Sequence, residues 1–512
     1  MMKYAIGVDL GTSSVKVLLV DQNGQVVSSV SKSYPLMQPH PGYSEQDPEQ
    51  WVEKTVQALK ELTEKSGVPR EEIEGLSFSG QMHGLVLLDE NLQVIRNAIL
   101  WNDTRTTEQC KKIDQVLGGK LLEITKNPAL EGFTLPKMLW IQQYEPENFR
   151  KTRVFLLPKD YLRYRLTGTI GIDYSDAAGT LLLDIVNQSW STDILRTFDI
   201  PAGICPPLVE TEAEVGTLLP DIAATCGLSP ATKVFAGGAD NACGAIGAGI
   251  LEEGKALCSI GTSGVFLSYE SDSNKNFGGK VHLFNHGQKD AYYTMGVTLA
   301  AGYSLSWFKD TFAKGEDFAT LLEEAAHSSI GANGLLFTPF IAGERTPYAD
   351  AKIRGTFTGI DSSHTRRDFT RAVMEGIAFS INESVEIFRN YGKNIDTVVS
   401  IGGGAKSDLW LQIQADIFQA KVIKLQNEQG PGMGAAMIAA SGLGWFSSLK
   451  DCAAAFIRTD RTFEPVPKNV KRYRDFYQVY KDVYPHTVAI NHQLFDLRRV
   501  NESRFGGKTD EI

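Results

Sequence analysis

With 512 residues the chain is too long for one hydrophobic core, so two domains or more are expected. Hydrophobic residues make up 42% and charged residues 22%, as in an ordinary globular protein, and no apolar run approaches the ~18–20 residues that cross a membrane. The formal net charge of −10 argues against a general affinity for nucleic acid or an anionic membrane, but not against a phosphate held by backbone amides and a metal ion.

The opening apolar segment is broken by Asp9 and Lys16 and has no cleavage-like end, so it does not read as a secretory signal. The six cysteines are scattered without a C-x-x-C pair, which suits reduced thiols in a cytoplasm. Zinc spacing is absent, and so is H-E-x-x-H.

Three short strands are predicted first: Tyr4–Val8, Val15–Val20 and Gln25–Tyr34. The first run ends in a lone carboxylate, Asp9, facing the turn Gly11-Thr12-Ser13-Ser14, an arrangement suited to a phosphate and a metal ion. Asn23-Gly24 joins the second and third strands and signals a two-residue hairpin turn at positive φ. Residues 47–62 read as a helix capped by Asp47, with Pro48 in its first turn and Trp51, Val52, Val56, Leu59 and Leu62 on one face.

Next, Gln81, Met82 and His83 lie between two glycines in a turn that suits a small polyhydroxy ligand. A lone histidine is more often structural. Trp101, Asn102, Asp103 and Arg105 then cluster: an indole can wall a sugar ring, and Asn with Asp can take hydroxyls. The plainer alternative is an Asp103–Arg105 structural pair beside a core tryptophan.

In residues 234–249 a strand runs into Gly237-Gly238, then Asp240-Asn241, then a helix of small residues. Asp240 reads as an N-cap by default, and the two glycines would let another molecule approach the backbone. Residues 249–256 nearly match a P-loop, but Ala256 offers no hydroxyl and Glu252 and Glu253 would sit in the phosphate cradle, so that reading is rejected. The small-residue segment 244–255 is the predicted boundary and hinge.

The opening pattern then recurs. Residues 257–269 repeat strand, Gly-Thr-Ser turn and strand, with Gly261-Thr262-Ser263 standing 250 residues after Gly11-Thr12-Ser13 (261 − 11 = 250). A third strand is predicted at 292–299 and a helix from about Gly302 to Lys309. Residues 368–388 show helical spacing in Val373, Ile377, Ile381, Val385 and Phe388. A strand leads into Gly402-Gly403-Gly404, followed by a helix start at Ser407-Asp408, a turn for a phosphate or flat ligand, or simply close packing.

Together GVDLGTSSVK, SGQMHG, AILWNDTRT, LLPKDYLRYRLTG, YSDAAGT, AGGADNACGA, SIGTSG, AGERTPY and IGGGAKSDLW, in that order, resemble the FGGY family of carbohydrate kinases within the actin-like ATPase superfamily. QMHG and LPKDYL are the more specific stretches. The resemblance implies an α/β fold of two ribonuclease H-like domains related by duplication with a cleft between them, at 1–246 and 247–502, with a flexible tail at 503–512. It implies transfer of the γ-phosphoryl of ATP to the terminal primary hydroxyl of D-xylulose with Mg²⁺, in a cytoplasmic homodimer, the cleft closing over sugar to exclude water. Another sugar acceptor (ribulose, gluconate or a deoxy-sugar) and an actin-type nucleotide switch stand as alternatives.

Residue by residue, Asp240 falls at the catalytic base and Asp9 at the Mg²⁺/phosphate aspartate. Gly11, Thr12, Ser13, Gly261 and Thr262 fall on two phosphate-binding hairpins. Gly302, Gly403, Gly404 and Ser407 fall on nucleotide positions, and Met82 and His83 on the sugar segment, with Trp101, Asp103, Asp240 and Asn241 as further sugar contacts. Asp240 is expected to be an ordinary carboxylate of pKa about 4, ionised at neutral pH.

Overall fold

The computed structural model describes residues 2–505, with side chains through residue 498. The chain divides into two compact units. The first holds the chain up to Glu252 together with Tyr269–Thr294 and Gln426–Arg458; the second holds Glu253–Ser268, Met295–Leu425 and the chain from Thr459 on. The chain leaves the first unit inside the segment read as a boundary, and later returns to it twice.

The sheet of the first unit has the order Glu214–Thr217, Lys233–Phe235, Ile73–Gly80, Tyr4–Leu10, Ser14–Asp21, Val26–Ser33. Tyr4–Leu10 pairs antiparallel with Ser14–Asp21 and parallel with Ile73–Gly80. Valines, isoleucines and leucines on the central strands Tyr4–Leu10, Ser14–Asp21 and Ile73–Gly80 are buried, as apolar runs inside a covered sheet should be, whereas the edge strand Val26–Ser33 leaves Val27 exposed.

The connection between the second and third strands differs from the two-residue turn expected. Only Gly24 of the Asn23-Gly24 pair takes positive φ, at 77°. The carboxylate of Asp21 accepts from the N–H of Asn23 (2.8 Å) and of Gln25 (2.9 Å), and so organises a longer loop that a tight turn would not need.

The helix Pro48–Ser66 is capped by Asp47, whose side chain accepts from Glu49 N (3.0 Å), and it buries Trp51, Val52, Leu59 and Leu62. The other face of the sheet receives a segment from far along the chain, the helix Pro431–Gly442. Its glycines allow backbone-to-backbone approach: a Cβ on Gly7 would lie 2.0 Å from Gly432 O, and one on Gly434 would lie 1.8 Å from Cys243 O.

The second sheet repeats the plan. Gly254–Ile260 pairs antiparallel with Gly264–Glu270 and parallel with Ile395–Gly402, followed by Lys421–Leu425 in parallel and Thr459–Phe463 antiparallel at the edge. The register slips at the first residue of the central parallel pair in both sheets, at Tyr4/Ala5 and at Gly254/Lys255. Strand order, direction and this irregularity together make a duplicated α/β unit, as the two Gly-Thr-Ser turns suggest. Tyr292–Thr298 and the helix Gly302–Phe312 follow where expected.

The helix Arg366–Asn390 begins with a reciprocal capping box between Thr365 and Asp368 and buries its predicted apolar stripe. The last helix spans Pro467–Phe505, and the rest of the tail expected at 503–512 lies outside the described residues. No helix among the described residues is long and apolar enough to cross a membrane.

Candidate active site

In the first unit the candidate residues gather where parallel strands end, the usual ligand position in such sheets. Asp9 lies near the end of Tyr4–Leu10, in register with Ser79 on one side and Lys16 on the other. Gln81, Met82 and His83 follow directly after Ile73–Gly80. The short strand Gly238–Ala239 pairs with Ser79 and Gly80, so Asp240 leaves the sheet beside the Gln81–His83 turn. Asp240 is the first residue of the helix Asp240–Gly247 and Ala239 its cap, so the default N-cap reading of Asp240 does not hold.

The two glycines before Asp240 serve packing rather than a ligand. A Cβ on Gly237 would lie 2.2 Å from Phe78 O, and one on Gly238 would lie 3.2 Å from Ser175 Oγ. Asn241 bridges the two segments: its Nδ2 donates to Asp240 Oδ1 (3.1 Å) and contacts Met82 Sδ (3.6 Å). Tyr293, fully buried, brings its hydroxyl to 3.8 Å from the same sulfur.

His83 sits in the left-handed region at φ 68°. Its Nδ1 is 2.7 Å from Gly179 O, and its ring centroid is 4.6 Å from that of Phe133. Because a carbonyl only accepts, Nδ1 carries the hydrogen.

The turn Gly11–Ser14 is latched from several sides. Trp101 Nε1 donates to Thr12 Oγ1 (2.9 Å), Thr12 Oγ1 donates to Gln81 Oε1 (3.2 Å), Gln46 Nε2 donates to Thr12 O (2.7 Å), and the Tyr34 hydroxyl donates to Gly11 O. Trp101 is 43% exposed, so it is no core tryptophan, and its indole remains available as a wall. Ser13 is exposed at the tip of the turn.

Asp103 is not brought into this group. Its carboxylate accepts from Arg105 Nε (2.9 Å), Arg105 Nη2 (2.7 Å) and Ser44 N (2.6 Å), with no exposed side-chain surface. The fold builds the Asp103–Arg105 pair there, beside an exposed rather than a core tryptophan.

Electrostatics departs from the sequence-based expectation. Burial, joined by the charge of Asp9, pushes Asp240 up to about 7 rather than leaving it near 4. Burial likewise lifts Asp9 to about 6, against the opposing pull of Ser79 and Lys16.

Beneath Asp240 lies a fully buried charge network that motif reading alone did not assign. Lys159 Nζ meets Asp160 (2.5 Å), Asp173 (3.0 Å) and Asp176 (3.3 Å), and Arg163 meets Asp160 (3.2 Å). Burial opposes the Lys159 charge, but the three carboxylates outweigh it and hold its pKa above the usual range. Asp173 accepts from Ser175 Oγ and N, and Ser175 Oγ accepts in turn from Ala239 N (2.9 Å), which fixes the residue before Asp240. The LPKDYL and YSDAAGT stretches thus act as a support for the strand end.

In the second unit a cavity of about 300 Å³ is lined by four of the expected residues, Gly261, Thr262, Gly302 and Gly403. Tyr303, Phe318, Leu322, Lys406 and Trp410 add walls that the sequence did not point to. Gly302 N donates to Gly261 O (2.8 Å) and Tyr303 N to Thr262 O (3.1 Å), tying helix start to hairpin turn. Glu344 of AGERTPY steadies the approach to this turn by accepting from Leu299 N (3.0 Å) and Ser380 Oγ (3.1 Å). Gly404 is buried against Ile260, where a Cβ would lie 2.6 Å from its Cδ1, and Ser407 caps the helix Asp408–Phe418; neither lines the cavity.

Comparison with known proteins matches residues 4–247 to the N-terminal domain and 256–443 to the C-terminal domain of the FGGY family of carbohydrate kinases. The chain belongs to the FGGY family of carbohydrate kinases. Among FGGY relatives, the xylulose kinase of Bacillus subtilis (strain 168) is 61% identical over 97% of this chain and 100% of its own. Two solved FGGY-type structures each cover 96% of this chain and are themselves wholly covered. The xyloylose kinase of Brucella ovis has a TM-score of 0.89 at 35% identity, and the gluconate kinase of Lactobacillus acidophilus 0.91 at 26%. The FGGY scaffold is thus shared by relatives named for different sugars, and choice of sugar rests on local residues.

Proposed function

We propose that the protein transfers the γ-phosphoryl group of ATP to the terminal primary hydroxyl of D-xylulose, giving D-xylulose 5-phosphate and ADP. The observation that carries this reading is the strand-end grouping of Asp240 and Asn241 with Met82 and His83, in a chain 61% identical to a xylulose kinase over nearly its whole length. Asp240 accepts the hydroxyl proton as the new P–O bond forms, and its raised pKa lets it hold that proton. Met82 and Trp101 contact the carbon chain, and the His83 imidazole meets a sugar hydroxyl.

Nucleotide occupies the cavity of the second unit, with Gly302 and Gly403 close to the purine and ribose. The turns Gly11–Ser13 and Gly261–Thr262 offer amides and hydroxyls to phosphate, and Gly404 and Ser407 shape the neighbouring glycine turn. Phosphoryl transfer depends mainly on alignment and charge neutralisation, which such groups supply.

The donors around Asp9 fit Mg²⁺: they are hard oxygens, and burial holds both carboxyls above their usual range, so a divalent cation there would favour their ionised forms. Asp9 would hold the ion, through water. When bound, it neutralises charge on the phosphates. We place the protein in the cytoplasm as a homodimer; light scattering at twice the chain mass is the expected result.

A coupled ADP assay over D-xylulose, ribulose, gluconate and deoxy-sugars tests the reading. D-xylulose should give the highest kcat/KM, with little ADP formed without sugar. Preference for gluconate would reassign the acceptor, and sugar-independent turnover without phosphosugar would remove the kinase reading.

A further inference from the structure

We infer that Lys137 is a positioning residue for the sugar: its ammonium holds the left-handed turn at His83 that sets the imidazole in place. Lys137 lies in the helix Thr134–Tyr144, has no exposed surface, and sits in an otherwise apolar stretch, TLPKMLW. Its Nζ donates to three backbone carbonyls: His83 O (3.1 Å), Phe133 O (3.2 Å) and Gly132 O. Thr134 Oγ1, one turn earlier, donates to the same His83 O (3.1 Å). Two donors from one helix therefore converge on the carbonyl of the residue whose backbone is the least comfortable in the turn, since a non-glycine residue at φ 68° needs outside support.

The ring is clamped from its other side. Gly179 O takes the hydrogen of Nδ1, and a Cβ on Gly179 would lie 2.7 Å from that nitrogen, so nothing larger than glycine fits there. Phe133, whose carbonyl Lys137 also holds, packs against the imidazole at 4.6 Å. One ammonium thus fixes both the histidine backbone and the aromatic ring beside it.

A purely structural role does not account for a cation at this place. Burial pulls Lys137 down to about 7, with Asp103 and Cys110 pulling the other way and Arg105 adding to the fall. An apolar side chain of similar length would fill the space without that cost, because a buried charge is rarely the most stable occupant. What the ammonium adds is a donor fixed on the His83 carbonyl, with two more on Gly132 and Phe133 that tie this turn to the loop carrying the Phe133 ring.

The inference rests on the proposed sugar site. If wild-type protein does not phosphorylate D-xylulose, the site reading fails; if it does and the variants leave sugar KM unchanged, only the role of Lys137 fails. Lys137→Met keeps length and packing and removes the donors. It should raise the KM for D-xylulose about tenfold or more, through loss of the bond to His83 O and of those to Gly132 O and Phe133 O, and leave the KM for ATP within about twofold. Thr134→Val, a milder change, should raise sugar KM by about threefold, and Thr134→Ser should restore it. The Thr134 pair keeps the test decisive should Lys137→Met not fold. Sugar and ATP KM rising together, or folded variants with wild-type sugar KM, would overturn the assignment.

Discussion

Two buried carboxyls, at the ends of the strands that flank Ile73–Gly80 on either side, carry a cost while no cation or substrate is bound. Burial and the Asp9 charge raise the pKa of Asp240 to about 7, so its ionised form is the less favourable one in the folded chain. A carboxyl with a raised folded pKa destabilises as pH rises: the penalty begins above its unfolded value of about 4 and is complete above about 7. Asp240→Asn should therefore raise the Tm of ligand-free protein at pH 8 by several degrees, with the gain shrinking toward pH 4. The same variant should lose turnover by at least about 10²-fold while still binding nucleotide. Thermal melts across pH and nucleotide titration check the two halves, and wild-type turnover would remove Asp240 as the base. The sequence located Asp240 through its glycine-strand-helix setting, but its titration depends on burial and on a residue 231 positions away (240 − 9 = 231), which no local pattern carries. Asp103 shows the opposite case: its partner Arg105 stands two residues on, so the ion pair could be read from the sequence itself.

At the scale of elements, both hairpins were legible because each is a local pattern of apolar runs around a Gly-Thr-Ser turn. The partners that hold them are not local. Trp101, Gln81 and Gln46 latch the first turn, while Gly302 accommodates the second at a separation too short for any side chain. A Cβ at Gly302 would stand 2.3 Å from Gly261 O, so Gly302→Ala must push the helix start away from the turn. The expected outcome is a rise in the KM for ATP of about tenfold or more with the sugar KM little changed, since the displaced backbone belongs to the nucleotide cavity. Steady-state kinetics with each substrate varied in turn decides this, and an unaltered ATP KM would detach Gly302 from the nucleotide. Tyr293 was missed for a related reason. It sits in an unremarkable strand, and only the return of Tyr269–Thr294 to the first unit carries it to Met82. Lys137 did leave a signal, a single charge inside an apolar helix face, which becomes meaningful once its three carbonyl partners are known.

Over the whole molecule, the duplicated sheet plan could be inferred from two turns 250 residues apart, but the division of the chain into units could not be reduced to one cut. The helix Pro431–Gly442 packs on the first sheet at Gly7 and on the helix Asp240–Gly247 at Cys243, so closely that neither Gly7 nor Gly434 has room for a side chain. A fragment ending at Glu252 lacks that helix and the Tyr269–Thr294 segment, and exposes the apolar face around Ala5, Val20, Phe235 and Ile246 that the helix covers. It should aggregate or show far-ultraviolet helical signal without a cooperative melt, whereas the full chain melts cooperatively. A sharp two-state transition in the fragment would show that the late segments are dispensable.

That late helix also bears on biosynthesis. Roughly 180 residues separate the end of the first continuous stretch from the piece that seals its sheet, an interval of about 10–40 s at ordinary ribosomal speeds. Throughout that time an unsealed, sticky surface stands open beside the exit tunnel. A nascent chain of this design has strong reason to seek a chaperone's shelter before its own last third arrives.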